Sequence, residues 1–194
     1  MAAFKEKPNY NLTLEAVEMP RPFRNFAGNP GPFNAPGARN FCILLDEADM
    51  LKVDPNYWNV KMLKPREEGD EPRPYLQIAI RWPRPTDKFQ GQPPLVVMIT
   101  DKYVTNDAGE QKIVKARTTL DESMVSLLDW AQVTNVDVMI RPNEYDFQGR
   151  KGVKAYCKAL YVTIESDELA MKYADIPENT NNGMVFEYDE DEEA

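Results

Sequence analysis

The sequence predicts a mainly β fold followed by an acidic, disordered tail, and three observations carry that expectation. Short runs of alternating apolar and polar residues recur along the chain. Segments rich in Gly and Pro separate them. Beyond Ile164 the composition turns acidic and polar.

Residues 1–9 read as a flexible N-terminus. From Tyr10, the residues Leu12, Leu14 and Ala16 alternate with polar neighbours, as in a half-buried strand. Residues 20–39 are loaded with Gly, Pro and Asn and form a flexible arm or long loop. Residues 40–46 (NFCILLD) are a short apolar strand, and Asp46 is placed to cap a brief helix over 47–52. Trp58, Val60 and Met62 alternate again, and the charged, Pro-bounded stretch 65–74 is a surface loop. In residues 75–82 (YLQIAIRW), Leu76, Ile78, Ile80 and Trp82 point one way and Tyr75, Gln77, Ala79 and Arg81 the other. Phase with Ile78 and Ile80 assigns Trp82 to the core.

Residues 83–94 form a second loop, and 95–100 (LVVMIT) a buried strand. A turn at 106–109 and a return over 112–117 make a hairpin. Thr119 and Glu122 have capping-box spacing, and Met124, Val125, Leu127 and Leu128 supply the apolar stripe of a helix ending near Trp130. Val136, Val138 and Ile140 alternate in the next strand. Residues 152–165 form the last strand, reached through a turn at Gln148 and Gly149. This order places one helix between the third and fourth of five strands, the arrangement of an OB-type β-barrel with an extra hairpin and loops. A β-sandwich is the alternative. The domain spans residues 10–176 and the disordered acidic tail residues 177–194.

Composition excludes several kinds of chemistry. There is no His in the 194 residues, so no Ser–His or Cys–His pair and no imidazole metal site exists. Cys42 and Cys157, far apart in apolar or alternating runs, read as reduced and mostly buried thiols. No apolar run approaches the roughly 20 residues that span a bilayer. The first ten residues lack the apolar core of a secretion signal, which points to work inside a cell.

The net charge of −9 sits unevenly. Residues 165–194 hold eleven acids and one base, whereas the other 164 residues hold 22 bases and 21 acids. The acidity therefore belongs to the tail, as in interaction tails.

The main chemical signal is cations interleaved with aromatics. Arg141, Tyr145, Phe147, Arg150, Lys151, Lys154, Tyr156 and Lys158 fall within 18 residues. By period two, Lys154, Tyr156 and Lys158 share one strand face, and Val153, Ala155, Cys157 and Ala159 take the other. Such a face suits unpaired nucleotides, because cations meet phosphates while a ring stacks on a base of any identity. The bland reading is a solvated strand. Further clusters occur at Arg21, Phe23, Arg24 and Phe26, leading into the arm with Phe33 and Arg39. Others lie at Trp58, Lys61, Lys64 and Arg66, and at Arg81, Trp82 and Arg84.

Two other constellations are weaker. The arm has no Gly-Lys-Ser/Thr ending, and its prolines remove the N–H donors a phosphate loop needs. The acids at Asp46, Glu47 and Asp49, and at Glu67, Glu68, Asp70 and Glu71, resemble material for a Mg²⁺ site, but their setting is that of solvated loop charge. No cofactor is expected. In the tail, Phe186 and Tyr188 stand beside Asp189, Glu190, Asp191, Glu192 and Glu193, an acidic peptide with aromatic anchors.

Residues 26–45 (FAGNPGPFNAPGARNFCILL), 58–70 (WNVKMLKPREEGD), 127–142 (LLDWAQVTNVDVMIRP) and 149–165 (GRKGVKAYCKALYVTIE), with YADIP at 173–177, resemble bacteriophage-type single-stranded-DNA-binding proteins with an OB fold. The likeness covers most of residues 20–177. It implies sequence-independent binding of single strands in phage replication or recombination within the bacterial host's cytoplasm, and a tail that docks replication or recombination proteins. Similar tails commonly end in Phe; here Phe186 lies inside and Ala194 is last.

The expectation is thus a non-enzymatic binder of single-stranded DNA with no membrane partner. Arg141, Arg150, Lys151, Lys154 and Lys158 meet phosphates. Tyr145, Phe147 and Tyr156 stack, Arg24, Phe26 and Arg39 close the groove from the arm, and Lys61, Lys64 and Arg81 extend it. The rival readings are a carboxylate-based Mg²⁺ nuclease and a protein-binding adaptor without DNA affinity.

Overall fold

The structure, a computed structural model, describes residues 11–87 and 91–166. The expected flexible N-terminus, the short helix suggested by residues 167–173 and the acidic tail with Phe186 and Tyr188 lie outside the described residues. No helix among the described residues is long and apolar enough to cross a membrane.

Among the described residues nine strands make one sheet. They are β1 (Leu12–Leu14), β2 (Arg24–Asn25), β3 (Arg39–Leu44), β4 (Lys61–Leu63), β5 (Arg73–Ile80), β6 (Leu95–Thr105), β7 (Gln111–Leu120), β8 (Val133–Phe147) and β9 (Arg150–Ile164). The helix α1 (Glu47–Lys52) follows β3. Five strands close a barrel. β3 pairs antiparallel with β5, and β5 pairs parallel with β9. β9 pairs antiparallel with β8, and β8 with β1. The segment after β1 then closes the ring: Val17 N–H donates to the Val136 carbonyl at 3.0 Å, and Leu44 N–H donates to the Glu18 carbonyl at 2.9 Å. This strand order is that of the expected OB-type barrel.

The inward faces follow the period-two pattern. Leu12, Leu14, Phe41, Ile43, Leu76, Ile78, Ile80, Val138 and Ile140 are all buried. Phe26 and Phe41 stack at 5.1 Å between centroids in the middle of this core.

The helices differ from expectation. α1 forms as its cap predicts: the Asp46 carboxylate accepts from Asp49 N–H at 2.7 Å, and Asp49 returns the bond to Asp46 N–H at 3.1 Å. It lies between the second and third barrel strands. Between the third and fourth, where the helix was expected, stand the β6–β7 hairpin and a 3-10 turn, Val125–Asp129. Thr119 is consumed by β7, so the Thr119–Glu122 capping box does not form. Asp121 instead braces the turn that leads into the 3-10 segment, its Oδ1 accepting from Ser123 N–H and Met124 N–H. Val125 and Leu128 are buried as the stripe required, whereas Met124 and Leu127 are exposed.

β8 continues past the alternating Val136, Val138 and Ile140, through Pro142, to Phe147. The β8–β9 turn has Gln148 at φ 52° and Gly149 at φ 78°, the left-handed pair of a type I′ hairpin. β9 carries a bulge: Ile140 faces Cys157 but Met139 faces Ala159, which leaves Lys158 without a cross-strand partner. The buried phase changes there, from Val153, Ala155 and Cys157 to Leu160 and Val162.

The chain divides into two compact units. Residues 1–100 and 115–165 contain the barrel. The other unit holds residues 101–114 and 166–194. Its described part is the tip of the β6–β7 hairpin, where the Asn106 side chain accepts from Ala108 N–H and Glu110 N–H. Asp101 N–H there donates to Ser166 Oγ at 3.0 Å.

Candidate nucleic-acid interface

The outward faces of β3 and β5 form the floor of a groove. One wall is the arm between Asn25 and Arg39, and the other is the β8–β9 hairpin. Two adjoining depressions share Ala38, Arg39, Ala79 and Lys154 and so make one continuous path. Toward one end lie Phe33, Asn40, Asn59, Lys61, Gln77 and Tyr145. Toward the other lie Arg81, Trp82, Arg84, Glu122 and Tyr156. In barrels of this kind the second and third strands and the loops flanking them are the usual binding face.

The arm is built rather than flexible. Gly37 N–H donates to the Gly28 carbonyl at 2.8 Å, and Gly28 sits at φ +72°. A Cβ on Gly28 would stand 3.0 Å from the Gly37 backbone, so the pinch requires glycine there. Asn25 and Asn29 bond each other through side chain and backbone at 2.8 and 3.0 Å. The Asn34 amide donates to the Asn29 and Ala38 carbonyls, and its oxygen accepts from the Asn40 side chain at 2.7 Å. Phe33 is left on the groove rim as a fully exposed residue. A bare aromatic on a rigid loop has already lost the backbone freedom that stacking would otherwise cost.

The charge of the groove is opposite to that of the chain. Among the described residues, Arg39, Lys61, Arg81, Arg84 and Lys154 line it against one carboxylate, Glu122. Glu122 lies 3.2 Å from both Arg39 and Arg84. Asp87 pairs with Arg81 at 2.8 Å and accepts from Arg84 N–H at 2.8 Å. These bonds, the backbone one foremost, hold the Asp87 carboxyl below its ordinary pKa. Lys154 Nζ and Arg141 Cζ approach the Tyr156 ring at 5.4 and 5.6 Å from its centroid.

The structure thus brings together Arg39, Lys61, Arg81, Tyr145, Lys154 and Tyr156, with Arg141 beside Tyr156. It separates the others. Phe26 is fully buried against Phe41, with its N–H held by Asp129 at 2.7 Å, so it cannot stack on a base without dismantling the core. Arg24 spends its guanidinium on the carbonyls of Met19, Leu128 and Ala131 at 2.7–3.1 Å. Burial lowers its pKa. Both residues belong to the fold, and the expectation that they close the groove is corrected. Lys64 lines a different depression, with Pro20, Phe23, Leu63 and Arg66. Phe147, Arg150 and Lys151 are exposed around the hairpin turn, and Lys158 is exposed in the bulge.

Sequence reasoning left Phe33, Asn40, Asn59, Gln77, Trp82, Arg84 and Glu122 outside its binding set. Phe33 and Arg84 carried a signal, standing in basic–aromatic clusters. Trp82, assigned to the core by phase, is half-buried and lines the groove while also packing on the core. Glu122 was read as a helix cap.

Neither acid cluster makes a metal centre: among the described residues no three Asp, Glu, Cys or His side chains converge. Cys42 and Cys157 are free thiols, the second buried.

A family described as "Putative phage ssDNA-binding domain" matches residues 1–193. No curated protein matches the chain. Among solved structures, the chain is similar to the single-stranded DNA-binding protein from bacteriophage Enc34 in complex with ssDNA. Identity is 10%, coverage is 84% of this chain and 94% of that one, and the TM-score is 0.47. A C-terminal truncation of the Enc34 protein is similar at 11% identity, over 84% and 94% of the two chains, with a TM-score of 0.43. The untruncated Enc34 protein gives 11% identity, 88% and 95% coverage and a TM-score of 0.42.

Proposed function

The chain belongs to the family of phage single-stranded-DNA-binding domains, and from that premise we propose that the groove over β3 and β5 is the path of the strand. The observation that carries this reading is the excess of five cations over one carboxylate along a groove rimmed by the exposed rings of Phe33 and Tyr145. Arg39, Lys61, Arg81, Arg84 and Lys154 meet phosphates, while Phe33, Tyr145 and Tyr156 offer faces to bases. No contact of this kind reads a base edge, so binding is independent of sequence. The family is defined by binding, and the groove needs no chemistry to protect a strand.

In this reading the hairpin tip with Phe147, Arg150 and Lys151 lengthens the path, and Lys158 and Lys64 act only through their charge. The protein serves DNA replication or recombination in the cytoplasm of the phage's bacterial host. Its acidic tail docks partner proteins through Phe186 and Tyr188 and competes with DNA for the groove.

Titration with oligo-dT at low salt tests the proposal. Trp82 lines the groove, whereas Trp58 is buried. Quenching is therefore expected, and it should be largely lost in Trp82→Phe. Parallel titrations with duplex DNA and RNA define the preference, since stacking and phosphate contacts alone do not distinguish RNA from DNA. Absence of binding to oligo-dT would refute the assignment and favour an adaptor. Cleavage that requires Mg²⁺ would favour the nuclease.

A further inference from the structure

We propose that Arg39 and Arg84 form a discrete phosphate subsite whose place is held, in the free protein, by the Glu122 carboxylate. The inference rests on the groove being the path of a single strand, and it adds a built-in competitor for one phosphate.

The geometry is that of a shared anion. One oxygen, Glu122 Oε1, lies 3.2 Å from Arg39 Nη1 and 3.2 Å from Arg84 Nη2. The arginines come from different elements: Arg39 opens β3 and Arg84 follows β5. Two guanidinium groups converging on one oxygen are well suited to a phosphate, which carries the single charge of a carboxylate on oxygens of similar hydrogen-bonding character.

Three features make Glu122 a placeholder rather than a structural tie. Its side chain has no bonds among the described residues other than these two. The entry to the adjacent 3-10 turn is held by Asp121, whose carbonyl accepts from Met124 and Val125 N–H and whose side chain accepts from Ser123 and Met124 N–H, so the turn does not need Glu122. The Arg84 half of the arrangement is open to water, the Arg84 side chain being 68% exposed and that of Glu122 37%, whereas Arg39 beneath is 17% exposed. Ion pairs so placed contribute little to stability and yield readily to a competing anion. The carboxylate also leaves the Arg39 guanidinium incompletely satisfied, since its buried Nε has no acceptor among the described residues. A carboxylate that aligned the arginines for DNA would give the opposite sign when removed.

The test is Glu122→Gln in the full chain, with Glu122→Ala as a second variant, titrated with oligo-dT at low salt beside the wild type. Removal of the competitor tightens binding by roughly 1.5- to fivefold, the scale on which a surface ion pair acts. The gain disappears when Arg39 and Arg84 are both replaced by Gln, because then no subsite remains to be vacated. Unchanged or weaker binding by both variants, at unchanged melting temperature, overturns the proposal. So does a gain that persists without the two arginines, which would be general relief of negative charge. Inorganic phosphate supplies a readout that does not depend on DNA: the Nε–H NMR signals of Arg39 and Arg84 should shift at lower phosphate concentration in Glu122→Gln. A wild type that fails to bind oligo-dT refutes the groove assignment, while the phosphate titration still judges the subsite.

Discussion

The Tyr145 ring lies across the backbone of Gly152, its cross-strand partner in the β8–β9 hairpin. A Cβ at position 152 would stand 2.6 Å from Cζ of that ring and 3.0 Å from Cε1. The constraint is the ring above the glycine, a pairing known to cover glycines in sheets. Gly152→Ala should therefore tilt Tyr145 off the groove wall. Tyr145→Ala should cost about 1–3 kcal/mol of single-strand affinity, as for one stacked base. Gly152→Ala should by itself show part of that loss, and the double variant should lose no more than Tyr145→Ala. Additive losses in the cycle would show that Gly152 acts elsewhere.

Phe26 and Phe33 should separate stability from binding. Phe26 is fully buried and stacked on Phe41, so Phe26→Ala should cost about 3–5 kcal/mol of folding stability. Phe33 makes no comparable contact, and Phe33→Ala should leave the melting temperature in place while lowering DNA affinity by about 1–3 kcal/mol. Thermal melts and oligo-dT titrations of both variants decide the matter.

The same two rings show what the sequence could and could not convey. Both stand in one aromatic, Gly- and Pro-rich stretch, and period carries no information in a loop. Their fates are decided by Asp129, some hundred residues away, which anchors Phe26, and by the Gly28–Gly37 pinch. The strands were far more legible, because burial on one face imposes period two on the residues themselves: the buried residues of β5 fall where alternation puts them. Alternation also assigned β9 correctly as far as Cys157. It failed at Lys158, because a bulge adds one residue without a compositional mark. The Thr119–Glu122 spacing misled for a related reason. A capping motif is local, and β7 had already claimed Thr119 as a strand residue.

Arg24 and Lys154 should likewise part company. Arg24 donates to three backbone carbonyls that would lose their partners in Arg24→Met, a loss of about 1–3 kcal/mol in stability. Lys154 is exposed in the groove, and Lys154→Met should weaken DNA binding at low salt with little change in stability. Reversal of these two outcomes would place Arg24 in the interface after all.

Alkaline pH should destabilise the fold through its thiols. Burial pushes the Cys157 thiol up to about 12 and the Cys42 thiol up to about 11, each from an ordinary 9.0. The folded thiol thus keeps its proton where the unfolded one loses it. Stability is intact below pH 9.0 and falls as pH rises toward those values. For each thiol the slope approaches about 1.4 kcal/mol per pH unit above its unfolded value, and the pH window, and with it the total loss, is narrower for the less buried Cys42. Lys and Tyr also titrate in this range, so the informative quantity is the difference from Cys157→Ala in urea melts from about pH 8 to 10.5. Identical pH slopes in the two proteins would refute the linkage.

Salt should report how many groove cations meet phosphates, and the tail should modulate the result. Five lining cations correspond to a slope of log K against log salt of roughly −3.5, at −0.7 per phosphate for single strands. Deleting residues 178–194 removes seven acids, among them Asp189 to Glu193. A tail that competes for the groove holds affinity down most at low salt, where Coulomb attraction to the cations is least screened. The truncated chain should therefore bind more tightly than the full chain at low salt, and the two curves should converge as salt rises. Equal affinity at every salt concentration would leave the tail a passive segment with respect to DNA, without touching its proposed role in docking other proteins.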